Sequence, residues 1–341
     1  MTLTRDKKNE RGILLINLGT PASPQVDDVR RYLGEFLMDP YVLDTPWLLR
    51  KLIVSAFILP FRPKNSAEAY AKIWTESGSP LLTISQDLAS ACAELLGVPV
   101  VLGMRYGDPS IKWAVNSLLS QGVSHVHIVP LYPHYADSTV TTSVEEAVNA
   151  IDGRVPFTVQ QPFYDQPAYI KALAHSIEPA LEKPWDHLLL SYHGLPERHL
   201  TRADPGSHCL SQDNCCHPSN TPIPAHETCY RHHVIETSRL LGQQLGLTAE
   251  QWSVSFQSRL GRLPWLTPYT DEQLRSFPAQ GIKNLVVACP AFVVDNLETL
   301  EEIGLQGRET FMQAGGESLR LVPCLNAEPE WVQVFSELIG A

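Results

Sequence analysis

Missing from these 341 residues is any uninterrupted apolar run long enough to span a bilayer. A spanning helix needs about 20 apolar residues. The most apolar window, residues 46–60, is shorter and is broken by Arg50 and Lys51. A buried helix is the expected reading, with an exposed apolar lip as the alternative. An export signal is lacking too: residues 1–11 are polar and charged, with no apolar h-region and no small-residue cleavage site. A cytoplasmic location, with at most loose contact at a membrane surface, is therefore expected. Basic charge is in deficit, with 26 Lys and Arg against 37 Asp and Glu and a net charge of −11. That disfavours a nucleic-acid footprint, which would need clustered Lys and Arg. It leaves room for an anionic small substrate held by a few local arginines. Cysteine occurs seven times, an odd number without an export signal, so a disulfide framework is not expected.

What is present is globular: 44% hydrophobic and 18% charged residues, in a chain long enough for two domains with a core each. Continuous apolar runs at residues 12–18 (GILLINL), 98–103 and 123–131 alternate with helical patterns at 85–96 and 111–121. The order then repeats. A strand at 157–159 leads to a helix at 166–181 and the strand 187–191 (HLLLS). A helix at 228–242 precedes the strand 252–257 (WSVSFQ), and a helix at 271–280 precedes the strand 284–289 (NLVVAC). Residues 298–314 read as helix, 320–322 as a short strand and 328–339 as a closing helix. Apolar strands separated by helices predict parallel sheets covered on both faces, here as two doubly wound α/β domains of similar design joined near 155–165. The expected division is 1–158, 159–320 and a closing strand and helix at 321–341. In such sheets ligands lie beyond the carboxyl ends of the strands, so residues just after strands carry the most weight.

His193 is one of these, at the end of residues 188–196 (LLLSYHGLP). Imidazole titrates near neutrality and, when neutral, binds borderline metals. With twelve histidines in the chain, an ordinary hydrogen-bonding role is the competing reading. Downstream, Asp295, Glu298 and Glu302 fall at i, i+3 and i+7, which on an α-helix gives one stripe of three carboxylates at the carboxyl edge of the same sheet as His193. The bland alternative is a solvated helix start favoured by the macrodipole. The functional one is a row of hard oxygen ligands passing a divalent cation inward to the histidine. Porphyrin metallation needs such an arrangement, because two pyrrole protons must leave while a ferrous ion sheds its water.

These segments resemble the ferrochelatase family over almost the whole chain. Residues 189–196 (LLSYHGLP) are similar to its histidine signature and 291–303 (AFVVDNLETLEEI) to its acidic helix. Residues 15–21 (LINLGTP), 102–106 (LGMRY), 131–139 (LYPHYADST) and 256–265 (FQSRLGRLPW) are similar to further segments in the family's order. The resemblance implies two Rossmann-like domains with parallel four-stranded sheets, the chelatase fold, and a porphyrin cleft between them. It implies insertion of ferrous iron into protoporphyrin IX, with His193 and Glu298 as the catalytic, iron-binding pair and Asp295 and Glu302 as an acidic relay. It implies pocket walls at Leu18, Arg105, Tyr106, Tyr132, Ser138 and Trp265, with Arg105 on a propionate, aromatics stacked on the ring, and residues 32–61 as the pocket lip. Asn296 stands where some relatives have histidine. A sirohydrochlorin chelatase would fit residues 15–21 and 256–265 poorly, and a non-catalytic haem or iron–sulfur sensor would have no use for facing His193 and carboxylates.

Cys92, Cys289 and Cys324 sit in or beside regular elements and read as structural thiols. Cys209, Cys215, Cys216 and Cys229 fall in a polar insertion at about 202–229. Some ferrochelatases hold a [2Fe–2S] cluster, for which four thiolates are the usual ligands. The resemblance thus suggests these four cysteines as ligands, while a structural zinc using His208 or His217 and uncoordinated thiols stay open.

Overall fold

A computed structural model of the chain describes residues 11–340 apart from 205, 213–214, 217–222 and 262. The strands are β1 (Gly12–Gly19), β2 (Val100–Tyr106), β3 (Val126–Pro130), β4 (Phe157–Val159), β5 (His187–His193), β6 (Trp252–Gln257), β7 (Asn284–Ala288) and β8 (Ser318–Leu321). They form two four-stranded sheets in the orders β2-β1-β3-β4 and β6-β5-β7-β8, parallel throughout. The helices are α1 (Val26–Leu37), α2 (Trp47–Leu52), α3 (Arg62–Ile73), α4 (Pro80–Leu96), α5 (Ile111–Ser120), α6 (Thr142–Ile151), α7 (Pro167–Leu181), α8 (Glu197–Ala203), α9 (Tyr230–Gln244), α10 (Thr270–Ser276), α11 (Arg308–Gln313) and α12 (Pro329–Gly340). π-helical turns extend α2 (Ile53–Ile58), precede α6 (Asp137–Thr141) and precede α11 (Glu298–Gly307).

The apolar strands are apolar because both their faces are covered. In the first sheet, Leu14 and Ile16 of β1 and Val126 and Ile128 of β3 pack with Ile111, Val115 and Leu118 of α5 and with Ala147 and Ile151 of α6. In the second, Leu189, Leu285, Val287 and Leu319 pack with Leu274, Phe277, Ile303 and Phe311. β1 turns at Gly19, whose φ is +119° and whose absent Cβ would stand 1.9 Å from the Tyr106 carbonyl oxygen. No side chain fits there, so the strand exit requires glycine.

The chain divides into two compact units, 1–131 with 138–161 and 327–341, and 132–137 with 162–326. The closing segment expected at 321–341 is therefore split. Its helix α12 belongs to the first unit, where Arg11 donates from Nη1 and Nη2 to the carbonyls of Gly340 and Ile339 at 2.8 Å each.

Two expectations are corrected. The window at 46–60 is largely exposed: Leu48 and Phe57 are 75% and 67% exposed, Trp47, Leu49 and Leu52 are exposed as well, and only Val54 among its apolar side chains joins the core. Arg50 turns inward instead, its Nη1 donating to the carbonyls of Leu43 and Thr45. Residues 298–314 are not one α-helix either; the first ten are π-helical. The i→i+5 bonding of that turn widens the spacing on which the three-carboxylate stripe rested.

Candidate active site

The second unit supplies the site. β5 lies where the order of its sheet reverses, with β6 on one side and β7 on the other, and a crevice opens beyond the carboxyl ends of strands at such a point. His193 is the last residue of β5 and is half-buried. Its Nδ1 lies 2.6 Å from the carbonyl oxygen of Gly194, close enough to donate to it. The proton then sits on Nδ1, and the lone pair of Nε2 is left bare. Tyr230 fixes the backbone beneath by donating its hydroxyl to the His193 carbonyl at 2.8 Å. The ring of Phe292 stands edge-on to the imidazole, 6.4 Å between centroids. Gly194 permits close packing: a Cβ there would meet the Gln257 carbonyl at 2.9 Å and the Trp265 ring at 3.2 Å.

The carboxylates follow β7. Asp295 precedes the helix, is buried, and does not face outward with the other two. Its carboxylate accepts from Thr299 Oγ1 at 2.9 Å, Asn326 Nδ2 at 2.8 Å and the Cys324 N–H at 3.3 Å. Asn296 and Thr299 close a reciprocal capping box: Asn296 Oδ1 accepts the Thr299 N–H at 3.0 Å, and Thr299 Oγ1 accepts the Asn296 N–H at 3.1 Å. The π-turn thus starts from a tightly bonded corner. Glu298 and Glu302 project from it, both partly exposed. The Glu302 carboxylate accepts from the Ser258 N–H at 2.7 Å and the Ser258 hydroxyl at 2.5 Å. Ser258 can present both donors because its φ is +65°, a conformation that costs a non-glycine residue about 1–3 kcal/mol. Burial raises the Glu302 pKa above its ordinary value; Glu298 adds to this, while the Ser258 bonds and His193 oppose it. Glu302 therefore senses the charge of both other groups, and His193, Glu298 and Glu302 share one sheet edge. Gln257 and Ser258 were not singled out from sequence, although they lie in the 256–265 segment directly after a strand, where such residues should be sought.

The residues expected as pocket walls belong to one unit or the other. In the second, Trp265 is buried and bridges to Pro196, and Tyr132 is partly exposed. In the first, Leu18 and Ser138 are partly exposed. Tyr106 is only 1% exposed, with its hydroxyl on Asp39 at 2.9 Å, so its ring has no open face for stacking. Arg105 is likewise committed: Nη2 donates to Asp39 at 2.6 Å and Nε to Thr142 at 2.8 Å. The expected propionate pairing must draw on the N–H groups of Nη1 and Nη2 that these bonds do not use.

Cys209, Cys215, Cys216 and Cys229 come together, all buried. Sγ–Sγ separations are 3.6 Å for Cys215–Cys216 and 3.8 Å for Cys216–Cys229. The Leu210 N–H donates to the Cys215 sulfur at 3.3 Å and the His232 N–H to that of Cys229 at 3.4 Å. The Cys216 thiol, with N–H groups of α9, draws the Cys229 thiol down to about 6, whereas burial raises that of Cys209. His208 spends Nε2 on the Cys215 carbonyl, and His217 lies outside the described residues. Among the described residues, no three or more His, Cys, Asp or Glu side chains are already disposed around one metal position.

A profile of the ferrochelatase family matches residues 10–341. The ferrochelatase of Ectopseudomonas mendocina (strain ymp) is 53% identical over 333 residues, covering 96% of this chain and 97% of its own. That of Pseudomonas syringae pv. tomato is 52% identical over 334 residues, with the same coverage. Among solved structures, SirB from Bacillus subtilis with Fe3+ matches with a TM-score of 0.54 at 12% identity, over 97% of this chain and 94% of its own. That last likeness speaks for the fold alone.

Proposed function

Because the chain belongs to the ferrochelatase family and inserts ferrous iron into a porphyrin, the final step of haem synthesis, we propose that His193 and Glu298 are the catalytic pair of this lyase. The observation that carries the assignment is the shared sheet edge: His193 ends β5, Glu298 opens the π-turn after β7, and Gln257 at the end of β6 bonds to the backbone of Gly194 and of Glu298. In this reading the bare Nε2 of His193 accepts the pyrrole protons one at a time. Glu298 replaces water on the incoming ferrous ion as a hard oxygen ligand. Glu302, with its raised pKa, receives protons from the imidazole and releases them outward. Asp295 serves as the anchor of the helix start, its oxygens holding three donors. Protoporphyrin IX is the proposed porphyrin, with Trp265 and Tyr132 as apolar walls of the second unit and Leu18, Ser138 and the unused N–H groups of Arg105 as porphyrin-facing groups of the first.

The exposed apolar segment from Trp47 to Phe61 is proposed as a lip that meets apolar porphyrin edges or a bilayer surface, consistent with peripheral attachment of a cytoplasmic protein. No helix among the described residues is long and apolar enough to cross a membrane.

For the four clustered cysteines we propose a [2Fe–2S] cluster. Four buried thiols and backbone N–H donors to two of the sulfurs fit that group's chemistry. When bound, such a cluster supplies one-electron redox chemistry; Cys229 at the head of α9 and Cys209 in the loop would hold it together with Cys215 and Cys216. Iron and sulfide analysis with visible absorption tests this: Cys229→Ser should abolish both signals, and a colourless, iron-free wild-type chain overturns it.

The assay for the main reading mixes the protein anaerobically with ferrous iron and either protoporphyrin IX or coproporphyrin. Protoporphyrin fluorescence should fall as the metal enters. His193→Ala should abolish insertion while the fold persists, and near-wild-type turnover by that variant overturns the assignment.

A further inference from the structure

We propose that Gln257, the last residue of β6, is a positioning residue that sets Glu298 against His193. The inference rests on the assignment of those two residues above. Gln257 is register-paired with His193 across β5 and β6. Its backbone carbonyl accepts the N–H of Gly194 at 2.8 Å, which fixes the chain immediately after the imidazole. Its side-chain Nε2 donates to the backbone carbonyl of Glu298 at 3.0 Å, which fixes the first residue of the π-turn. One residue therefore grips both halves of the site, one through its backbone and the other through its amide.

The amide cannot turn over without loss. Its Oε1 accepts from the Ser191 hydroxyl at 2.6 Å and from the Cys289 thiol at 3.8 Å. The Ser191 hydroxyl is 2.9 Å from Thr270 Oγ1, which lies 2.7 Å from Ser255 Oγ. With each hydroxyl donating once, the bonds run in one direction from Ser255 through Thr270 and Ser191 to Gln257, and end on Glu298. Every side chain in this relay is buried, so each bond acts in a low dielectric and an orphaned end is costly. A flipped amide would set Oε1 against the Glu298 carbonyl and Nε2 against donors. The relay thereby holds the amide in the orientation that grips the first carbonyl of the π-turn.

Side chains that orient metal ligands in this way typically account for about 10–100-fold in affinity or activity. Gln257→Met keeps the bulk and removes both polar ends. It should lower kcat/KM for ferrous iron by about 10–100-fold. The porphyrin dissociation constant, read by fluorescence titration, should stay within about twofold, because none of the severed bonds reaches the porphyrin walls. Ser191→Ala leaves the amide in place but deletes its orienting donor, and should lower the same iron parameter by about fivefold, the worth of one neutral hydrogen bond. It also keeps the test decisive if Gln257→Met does not fold. Unchanged iron kinetics in both variants overturns the proposal, as does a matched loss of iron and porphyrin affinity, which a merely structural role would produce. His193→Ala in the same assay separates the two levels: an active His193→Ala removes the underlying assignment, whereas an inactive one beside normal Gln257 and Ser191 variants removes only the positioning role.

Discussion

Replacing Asp39 should unfold the first unit more readily than replacing Arg105, although the two form one ion pair. The Asp39 side chain is 1% exposed and that of Arg105 18%. Asp39 accepts from four groups: Arg105 Nη2 at 2.6 Å, Thr142 Oγ1 at 2.6 Å, the Tyr106 hydroxyl at 2.9 Å and the Tyr41 N–H at 2.7 Å. Asp39→Ala strands a part-buried guanidinium and three further donors. Removing one partner of such a buried pair costs about 3–5 kcal/mol. Arg105→Met leaves the carboxylate with three donors and replaces one long apolar stem by another. Its cost should be about 2–3 kcal/mol, because the lost bond is charge-assisted while Thr142, Tyr106 and Tyr41 still donate to the carboxylate. At about 2–4 °C per kcal/mol for a unit of this size, Asp39→Ala should lower Tm by about 6–20 °C and Arg105→Met by about 4–12 °C.

Thermal unfolding followed by circular dichroism measures both. The same Arg105→Met protein tests what the arginine is for. With one Nη2 proton and the Nε proton bonded inside the unit, the guanidinium cannot turn its full fork on a propionate, so the porphyrin KM should rise by no more than about fivefold. A variant with unchanged Tm but a porphyrin KM raised by about 100-fold, equivalent to about 2.7 kcal/mol, would refute the reasoning. It would mean that the guanidinium turns from Asp39 to the substrate.

Glu302→Gln should stabilise the chain at neutral pH. Burial raises the folded-state pKa of Glu302 above its ordinary 4.5. The protonated group therefore favours folding below that value, and this contribution is lost as pH rises through the folded pKa. Urea unfolding should show the variant ahead of wild type at pH 7 and the gap closing below pH 4.5; a gap that widens on acidification refutes the sign. In the lip, Leu48→Glu with Phe57→Glu should abolish co-flotation with phosphatidylcholine vesicles containing phosphatidylglycerol. The two sites are exposed, so stability should change by no more than about 0.5 kcal/mol each. Flotation equal to wild type refutes the membrane reading.

What was legible in the chain follows from where physical information resides. β5 and β7 fall within two residues of where their apolar runs place them, because a strand covered on both faces must be continuously apolar and turn residues bound it. His193 was legible for the same reason: the run ends at it. The apolar window at 46–60 misled because hydrophobicity states what a residue avoids, not whether anything covers it. Arg50 looked like an interruption of a buried face, yet it is the part that turns inward, onto two loop carbonyls. The carboxylate stripe misled differently. Spacing of i, i+3 and i+7 has meaning only on an α-helix, and the π-turn from Glu298 is set by bonds at both ends of that segment that periodicity does not encode. The Asn296–Thr299 box starts it, Gln257 grips its first carbonyl, and Ser258 holds Glu302 one turn on. Two of those three partners, the last residue of β6 and the one after it, lie some 40 residues upstream. The chemistry of a site can thus be read from the identity and order of residues at strand ends. Its aim is written in long-range hydrogen bonds, and in this chain those converge on the two residues that follow Phe256.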